Sequence, residues 1–212
     1  MPRPADPVTA EGGRRRAAAA AGHAGDEAAA RSALADESGA VRATALGALV
    51  RMGAIRSDDL RAAIKDPDHR VRSRAAELAG SGLERDDAIA LLVGPLGDRQ
   101  AAVVEAACFA LGELGAPSGA VEALARIART HREPLCREAA VAALGSIGDE
   151  AGLEAILDAT SDKPAVRRRA VIALAPFEGD AVDAALGRAL EDRDWQVRQA
   201  AEDLTGKRAP NR

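Results

Sequence analysis

The polar residues that return at a fixed spacing along this chain are an aspartate and an arginine. Asp36, Asp66, Asp98 and Asp192 each stand five residues before the start of an apolar segment, and Arg42, Arg72, Arg137, Arg167 and Arg198 each stand one residue after such a start. The chemistry open to these residues is charge-assisted hydrogen bonding. A carboxylate at a turn can accept from the free amides that open the following helix, and can pair with an arginine of its own or the next segment. A partly exposed pair contributes ~0–1 kcal/mol, whereas stranding one buried partner costs ~3–5 kcal/mol. The pattern therefore reads as a structural ladder. It is broken at Val104, and His131 and Ser161 stand where the aspartate is expected.

Other reactive groups are few. Cys108 and Cys136 are the only cysteines and both fall on the apolar side of their segments. Two buried thiols in a chain of this length read as reduced core residues of a cytoplasmic protein, in preference to a disulfide or a metal site. No Gly-rich phosphate loop, G-x-S-x-G or Cys-x-x-Cys occurs. No catalytic, metal-binding or cofactor-binding residue is expected, and no cofactor.

The elements that must position these residues follow from one unit, VVEAACFALGELG from Val103 to Gly115. Val103, Ala107, Ala110, Leu111 and Leu114 lie at offsets 0, 4, 7, 8 and 11, which places them on one face of an α-helix. Gly115 then supplies the residue that ends a helix in a left-handed turn. Copies start at Gly13, Val41, Val71, Cys136, Val166 and Val197, so the period runs from 28 to 33 residues. A period of this size is the mark of a helical solenoid. Between the copies lie shorter amphipathic segments: Asp26–Ala35, Ser57–Lys65, Glu84–Leu96, Pro117–Arg129, Glu150–Ala159 and Asp180–Glu191. Ser57 is a candidate N-cap and Pro117 suits a first helical turn.

The fold expected is all-α: an α-solenoid of six antiparallel helix pairs, right-handed, preceded by an N-terminal half-repeat. The repeat domain spans residues 9–206. Residues 1–8, with three prolines, are expected to form a disordered leader, and 207–212 a solvated tail. Arg14-Arg15-Arg16 before five alanines resembles an export signal, but the apolar run is too short and the residues fit the repeat template. No stretch approaches the ~18 apolar residues of a membrane span. With two Phe, one Trp and abundant Ala, burial per residue is small, and stability must come from close helix contacts. The net charge of −4 argues against a general nucleic-acid surface.

The pattern D-x4-V-R-x2-A-A-x-A-L-G, written through residues 9–206, resembles the HEAT-like repeats of the phycobilisome-lyase type. The resemblance implies a protein-binding scaffold, since arrays of this kind serve mostly that purpose, and a fold alone does not fix an activity. Deoxyhypusine hydroxylases share the fold and bind two irons through His-Glu dipeptides. Here His23, His69 and His131 are followed by Ala24, Arg70 and Arg132, so that ligand set is absent. DNA glycosylases of HEAT-like build use a basic, aromatic groove, which this composition does not offer.

The resemblance also places the partner on the concave face, lined by the second helix of each pair. Offsets 2, 3, 6 and 10 point away from the buried stripe, which assigns partner contacts to Arg74, Glu105, Phe109, Glu113, Arg168, Arg169 and Ile172. Phe109 and Ile172 are large apolar residues where other copies carry Gly47, Glu77, Ala142 and Asp203. They resemble interface anchors. A register shifted by one would instead make Phe109 core. Trp195, before the last copy, is expected to pack over the preceding repeat as an end plug. Glu202 at an otherwise apolar position marks the end of the array and argues against end-to-end stacking, so a monomer is expected. The function read here is a cytoplasmic scaffold or adaptor for a protein or peptide partner. The alternative is an accessory or lyase-type protein handling a small cofactor or chromophore, as the bilin lyases do.

Overall fold

The computed structural model describes residues 7–115 and 118–206. Residues 1–6 of the leader expected at 1–8, Pro117, and the tail expected at 207–212 lie outside these residues. Among the described residues there are thirteen α-helices and no strand.

A single helix opens the array, α1 (Pro7–Ala24), beginning within the stretch expected to be a leader. Twelve helices follow in chain order: α2 (Glu27–Ala33), α3 (Gly39–Arg51), α4 (Ser57–Ala63), α5 (His69–Gly82), α6 (Arg85–Val93), α7 (Ala101–Leu114), α8 (Ser118–Thr130), α9 (Pro134–Ile147), α10 (Leu153–Ala159), α11 (Pro164–Ala173), α12 (Asp180–Ala189) and α13 (Trp195–Thr205), with α2 packed on α3, α4 on α5, α8 on α9, α10 on α11 and α12 on α13. The single opening helix and the alternation of first and second helices are those the period predicts, and the fold is an all-α repeat solenoid. The chain divides into two compact units that separate between Pro95 and Leu96, after α6 and before α7. The first unit holds α1 to α6 and the second α7 to α13.

Within each unit the second helices lie side by side. In the first, α1 packs on α3 and α3 on α5; in the second the row runs α7, α9, α11, α13. Their buried stripe is made of Leu, Val and Ala, with Leu46, Val71, Val103, Leu111 and Leu144 each almost fully enclosed. Small residues bring these helices together. A Cβ on Gly112 would lie 3.0 Å from Ala143 Cα, and one on Gly145 would lie 2.6 Å from Ala173 Cα. Glycine at this offset sets the spacing of the row, because any side chain would meet the backbone of the next helix. The helix ends follow the same sequence logic. Gly115 and Gly148 adopt left-handed conformations (φ 62° and 68°), and the Gly148 N–H donates to the Leu144 carbonyl at 3.0 Å. At α4 the capping differs from expectation: Ser57 is the first helical residue, and the Asp59 carboxylate accepts from the Arg56 N–H at 2.9 Å.

The ladder is present, and each rung joins two kinds of bond. The Arg42 Nε and Nη2 donate to the Asp66 carboxylate at 2.9 and 2.6 Å, and its Nη1 donates to the Asp36 carbonyl at 2.8 Å. Arg167 does the same with Asp192 (2.9 and 2.7 Å) and the Asp162 carbonyl (2.8 Å). The guanidinium thus closes its own turn and ties it to the carboxylate of the next repeat, so both pairings considered from sequence occur at once. Each carboxylate also accepts a turn amide, as Asp36 does from Ser38 and Asp192 from Asp194, both at 2.8 Å. Arg14 extends the ladder to the half-repeat, donating to Asp36 at 2.8 Å.

The two irregular rungs are resolved differently. Where Ser161 replaces the aspartate, Asp162 substitutes for it from the next position and receives Arg137 at 2.6 and 2.7 Å. Where His131 replaces it, the ring Nδ1 accepts the Glu133 N–H at 3.1 Å, so the turn keeps its acceptor while the cation partner is absent. Val104 occupies the position from which an arginine would reach it and is fully buried. Loss of the arginine and loss of the carboxylate go together, which avoids a stranded charge.

Candidate partner-binding face

The outward side of the α7, α9, α11 and α13 row carries apolar residues that the core does not cover. Phe109 on α7 is 65% exposed, Ile172 on α11 is 41% exposed and Trp195 at the start of α13 is 65% exposed. The exposure of Phe109 settles the register: offset 6 points outward. On α9, which lies between α7 and α11, the same face offers Ala139, Ala142 and Ser146 along its length and Leu135, 61% exposed, at its start. Phe109 and Ile172 therefore stand at equivalent positions across a floor of small residues, on the order of 20 Å apart at ordinary helix spacing.

A groove of about 340 Å³ runs between α11 and α13, lined among others by Arg168, Ile172, Trp195, Gln199, Asp203 and Leu204. Its apolar wall is Ile172, Trp195 and Leu204. Its charged groups are the Arg168 guanidinium, which joins none of the ion pairs of the described residues, and an Asp203 carboxylate that already accepts the Gln199 amide at 2.8 Å. The expected end plug is thus corrected: Trp195 is the first residue of α13, is largely exposed, and walls the groove.

The other expected contact residues fall into two sets. Glu105 and Glu113 are exposed on α7 one turn either side of Phe109, so acidic side chains flank that ring. Arg169 is half-buried, its Nη2 lies 3.6 Å from Glu138 on α9, and its Nε is buried without a partner. Arg169 is thus directed toward the neighbouring helix, unlike Arg168. Arg74 lies in the other compact unit, on α5, where its Nη1 donates to Glu77 at 2.8 Å. Reading by single positions missed Gln199 and Leu204. The signal available for them was the amphipathic break in the last copy, where Leu204 follows Asp203 on the outward side.

The thiols take no part in this face. Both cysteines are free and buried; burial pushes the Cys108 thiol up to about 12 and the Cys136 thiol up to about 11, so both are protonated at neutral pH. Cys136 Sγ donates to the Ala101 carbonyl at 3.5 Å. No group of three metal-ligating side chains occurs among the described residues, and none of their helices is long and apolar enough to cross a membrane.

Stacked helix pairs, an internal ladder and an open row of second helices define a helical-repeat protein. The chain belongs to the HEAT repeats family, whose pattern matches residues 57–145 and 121–204. No curated protein matches it. Among solved structures it is similar to YibA of Escherichia coli, at 19% identity and a TM-score of 0.65, over 95% of this chain and 75% of that one. It is also similar to the complex of CpcE and CpcF of phycocyanin lyase from Nostoc sp. PCC7120, at 22% identity and a TM-score of 0.61, over 82% of this chain and 74% of that one. A designed armadillo repeat protein in complex with the peptide (KR)4 shares 16% identity at a TM-score of 0.60, over 84% of this chain and 97% of that one. At these identities the likenesses speak to the fold.

Proposed function

We propose that this protein is a scaffold or adaptor that binds a protein segment on the outward face of α7, α9, α11 and α13. The observation that carries the reading is the row of uncovered apolar side chains, Phe109, Ile172 and Trp195, on one side of the second unit. Isolated apolar residues on a surface need no explanation, but large ones at one repeat position beside an apolar groove form a set of anchors. The segment that suits them is extended and about six residues long between anchors, at the ~3.3–3.6 Å per residue of an extended chain. It places one apolar side chain on Phe109 and another in the α11/α13 groove. Basic residues suit the end beside Glu105 and Glu113, and an acidic residue the end beside Arg168. The two protonated, buried thiols accord with a reducing compartment, the cytoplasm.

Membership of the phycobilisome-lyase branch would give the same groove a second use, holding a portion of a chromophore. At about 340 Å³ the groove lies at the small end of ligand pockets, and a peptide side chain fills it better than a tetrapyrrole would.

Affinity capture from the source cell, with wild type beside a Phe109→Ala, Ile172→Ala, Trp195→Ala variant, tests the reading. One protein retained by the wild type and lost with the variant is the expected result. Equal retention by both removes this face from the function. A pigment travelling with the wild type in place of a protein replaces the scaffold by the lyase-type reading.

A further inference from the structure

We propose that the open cleft between the turn at Leu96–Arg99 and the C-terminal end of α8 binds a phosphate group. It lies within the second unit, has a volume of about 670 Å³, and is built by Asp98, Arg99, Arg126, Thr130, His131 and Arg132 over the apolar Leu96 and Ile127. This is a different place from the partner face, and the proposal does not rest on that reading.

The cleft sits where the ladder is interrupted. At the rungs described above, an arginine at the turns is met by a carboxylate at 2.6–2.9 Å. Here Val104 and His131 replace the pair, and the cations that gather are left over. Arg99 and Arg126 join none of the ion pairs of the described residues, and Arg132 has only Glu133, at 3.7 Å. The one carboxylate in the lining is Asp98, which already accepts the Gln100 N–H at 2.9 Å. Three guanidiniums against one carboxylate form a local cationic excess in a chain whose net charge is −4. An anion seated among them would relieve the repulsion of that gathered charge.

The donor set selects the anion. Each guanidinium offers a planar fork of N–H groups, and the His131 ring, with Nδ1 committed to the Glu133 N–H, has Nε2–H as its donor. A carboxylate has two oxygens to accept from this ring of donors. A phosphate has three or four, arranged tetrahedrally, and can take forks from more than one side. The source of the phosphate is either a free small anion or a phosphorylated side chain.

The test is calorimetric titration of the whole chain at an ionic strength of about 0.15 M, where loosely held surface charge is screened. Inorganic pyrophosphate is the first probe; a phosphoserine hexapeptide beside its unphosphorylated form is the second. Three proteins are compared: wild type, R99A/R126A, and R15A/R16A, which removes the same charge from exposed positions on α1. The expected result is binding of at least one phosphate probe by wild type and R15A/R16A, weakened about tenfold or more in R99A/R126A, as loss of charge-assisted bonds requires. Pyrophosphate alone would identify a free anion as the ligand, and the phosphopeptide alone a modified protein. Equal binding by all three proteins, or no binding of either probe by wild type, overturns the proposal.

Discussion

Along the edge formed by the turns, Arg167 is 6% exposed and spends its guanidinium on the Asp192 carboxylate and the Asp162 carbonyl. One residue on, across the surface of α11, Arg168 is exposed, meets no carboxylate among the described residues, and borders the groove beside Trp195. The same side chain is used in opposite ways within one helical turn. On the edge, the repeat supplies a partner for every donor, and the arginine has nothing left for a ligand. On the face, the repeat supplies none. In an array of near-identical units, function is therefore to be sought among the cations and apolar side chains that the repeat leaves unmatched.

The most direct challenge to this division is removal of the matched arginine. Arg167→Ala leaves Asp192 half-buried without its cation and frees the Asp162 carbonyl, so a destabilisation of about 3–5 kcal/mol is expected, read from the urea midpoint at pH 7. A loss under ~1 kcal/mol would place the ladder among ordinary surface pairs. Next in size is the spacing that holds the row together. Gly145→Ala puts a methyl against the Ala173 backbone, which cannot retreat as a flexible side chain would. A cost of about 1–3 kcal/mol is expected, whereas Gly187→Ala, which meets nothing within 4 Å on α12, should stabilise slightly.

Acid should undo the ladder from the carboxylate side. The Arg137 hydrogen bond holds Asp162 below its ordinary range, and at Asp192 burial raises the group but the bonds from Arg167 and the Asp194 N–H outweigh it; beside the ladder, the Arg70 guanidinium holds Asp68, the N-cap of α5, at about 2. Folded-state values below the unfolded value of 3.8 mean that the unfolded chain takes up protons first as pH falls. This contribution is therefore complete above about pH 4 and lost progressively toward the folded values, down to about 2 for Asp68. The melting temperature should hold from pH 7 to 5 and fall from 4 to 2. In Arg137→Ala that fall should be shallower, because the first cause of the Asp162 depression is gone.

Much of this edge was legible from sequence. The period of the apolar stripe gives the alternation of first and second helices found among the described residues, because the buried face of each second helix is written in contiguous residues. The Asp/Arg spacing gives the ladder for the same reason. Phe109 was readable as exposed, since one offset fixes its direction. Less legible were features that depend on neighbours from different repeats. Trp195 lies at the end of a helix, where the stripe no longer fixes direction. The groove exists only because Ile172 and Trp195 belong to helices that pack side by side, and Arg169 turns to Glu138, a residue on another helix. Asp162 serves the rung one position from where the pattern places it, a slip that the Pro164 helix start absorbs.

The contrast between edge and face is drawn most finely where the smallest change in stability is expected. Arg168→Ala removes a charge that no described residue meets, and Phe109→Ala removes a ring that is 65% exposed, so each should shift stability by no more than ~0.5 kcal/mol. His131→Ala lies between these and the ladder variants: it removes one turn acceptor without stranding an ion, at about 0.5–1.5 kcal/mol. Thermal melts of the three variants beside Arg167→Ala give the order directly. If Arg168→Ala costs as much as Arg167→Ala, the guanidinium has a structural partner and the face loses its free cation. If it is silent in melting yet weakens partner capture, then the residue has been left unmatched for a ligand, as the open side of α11 implies.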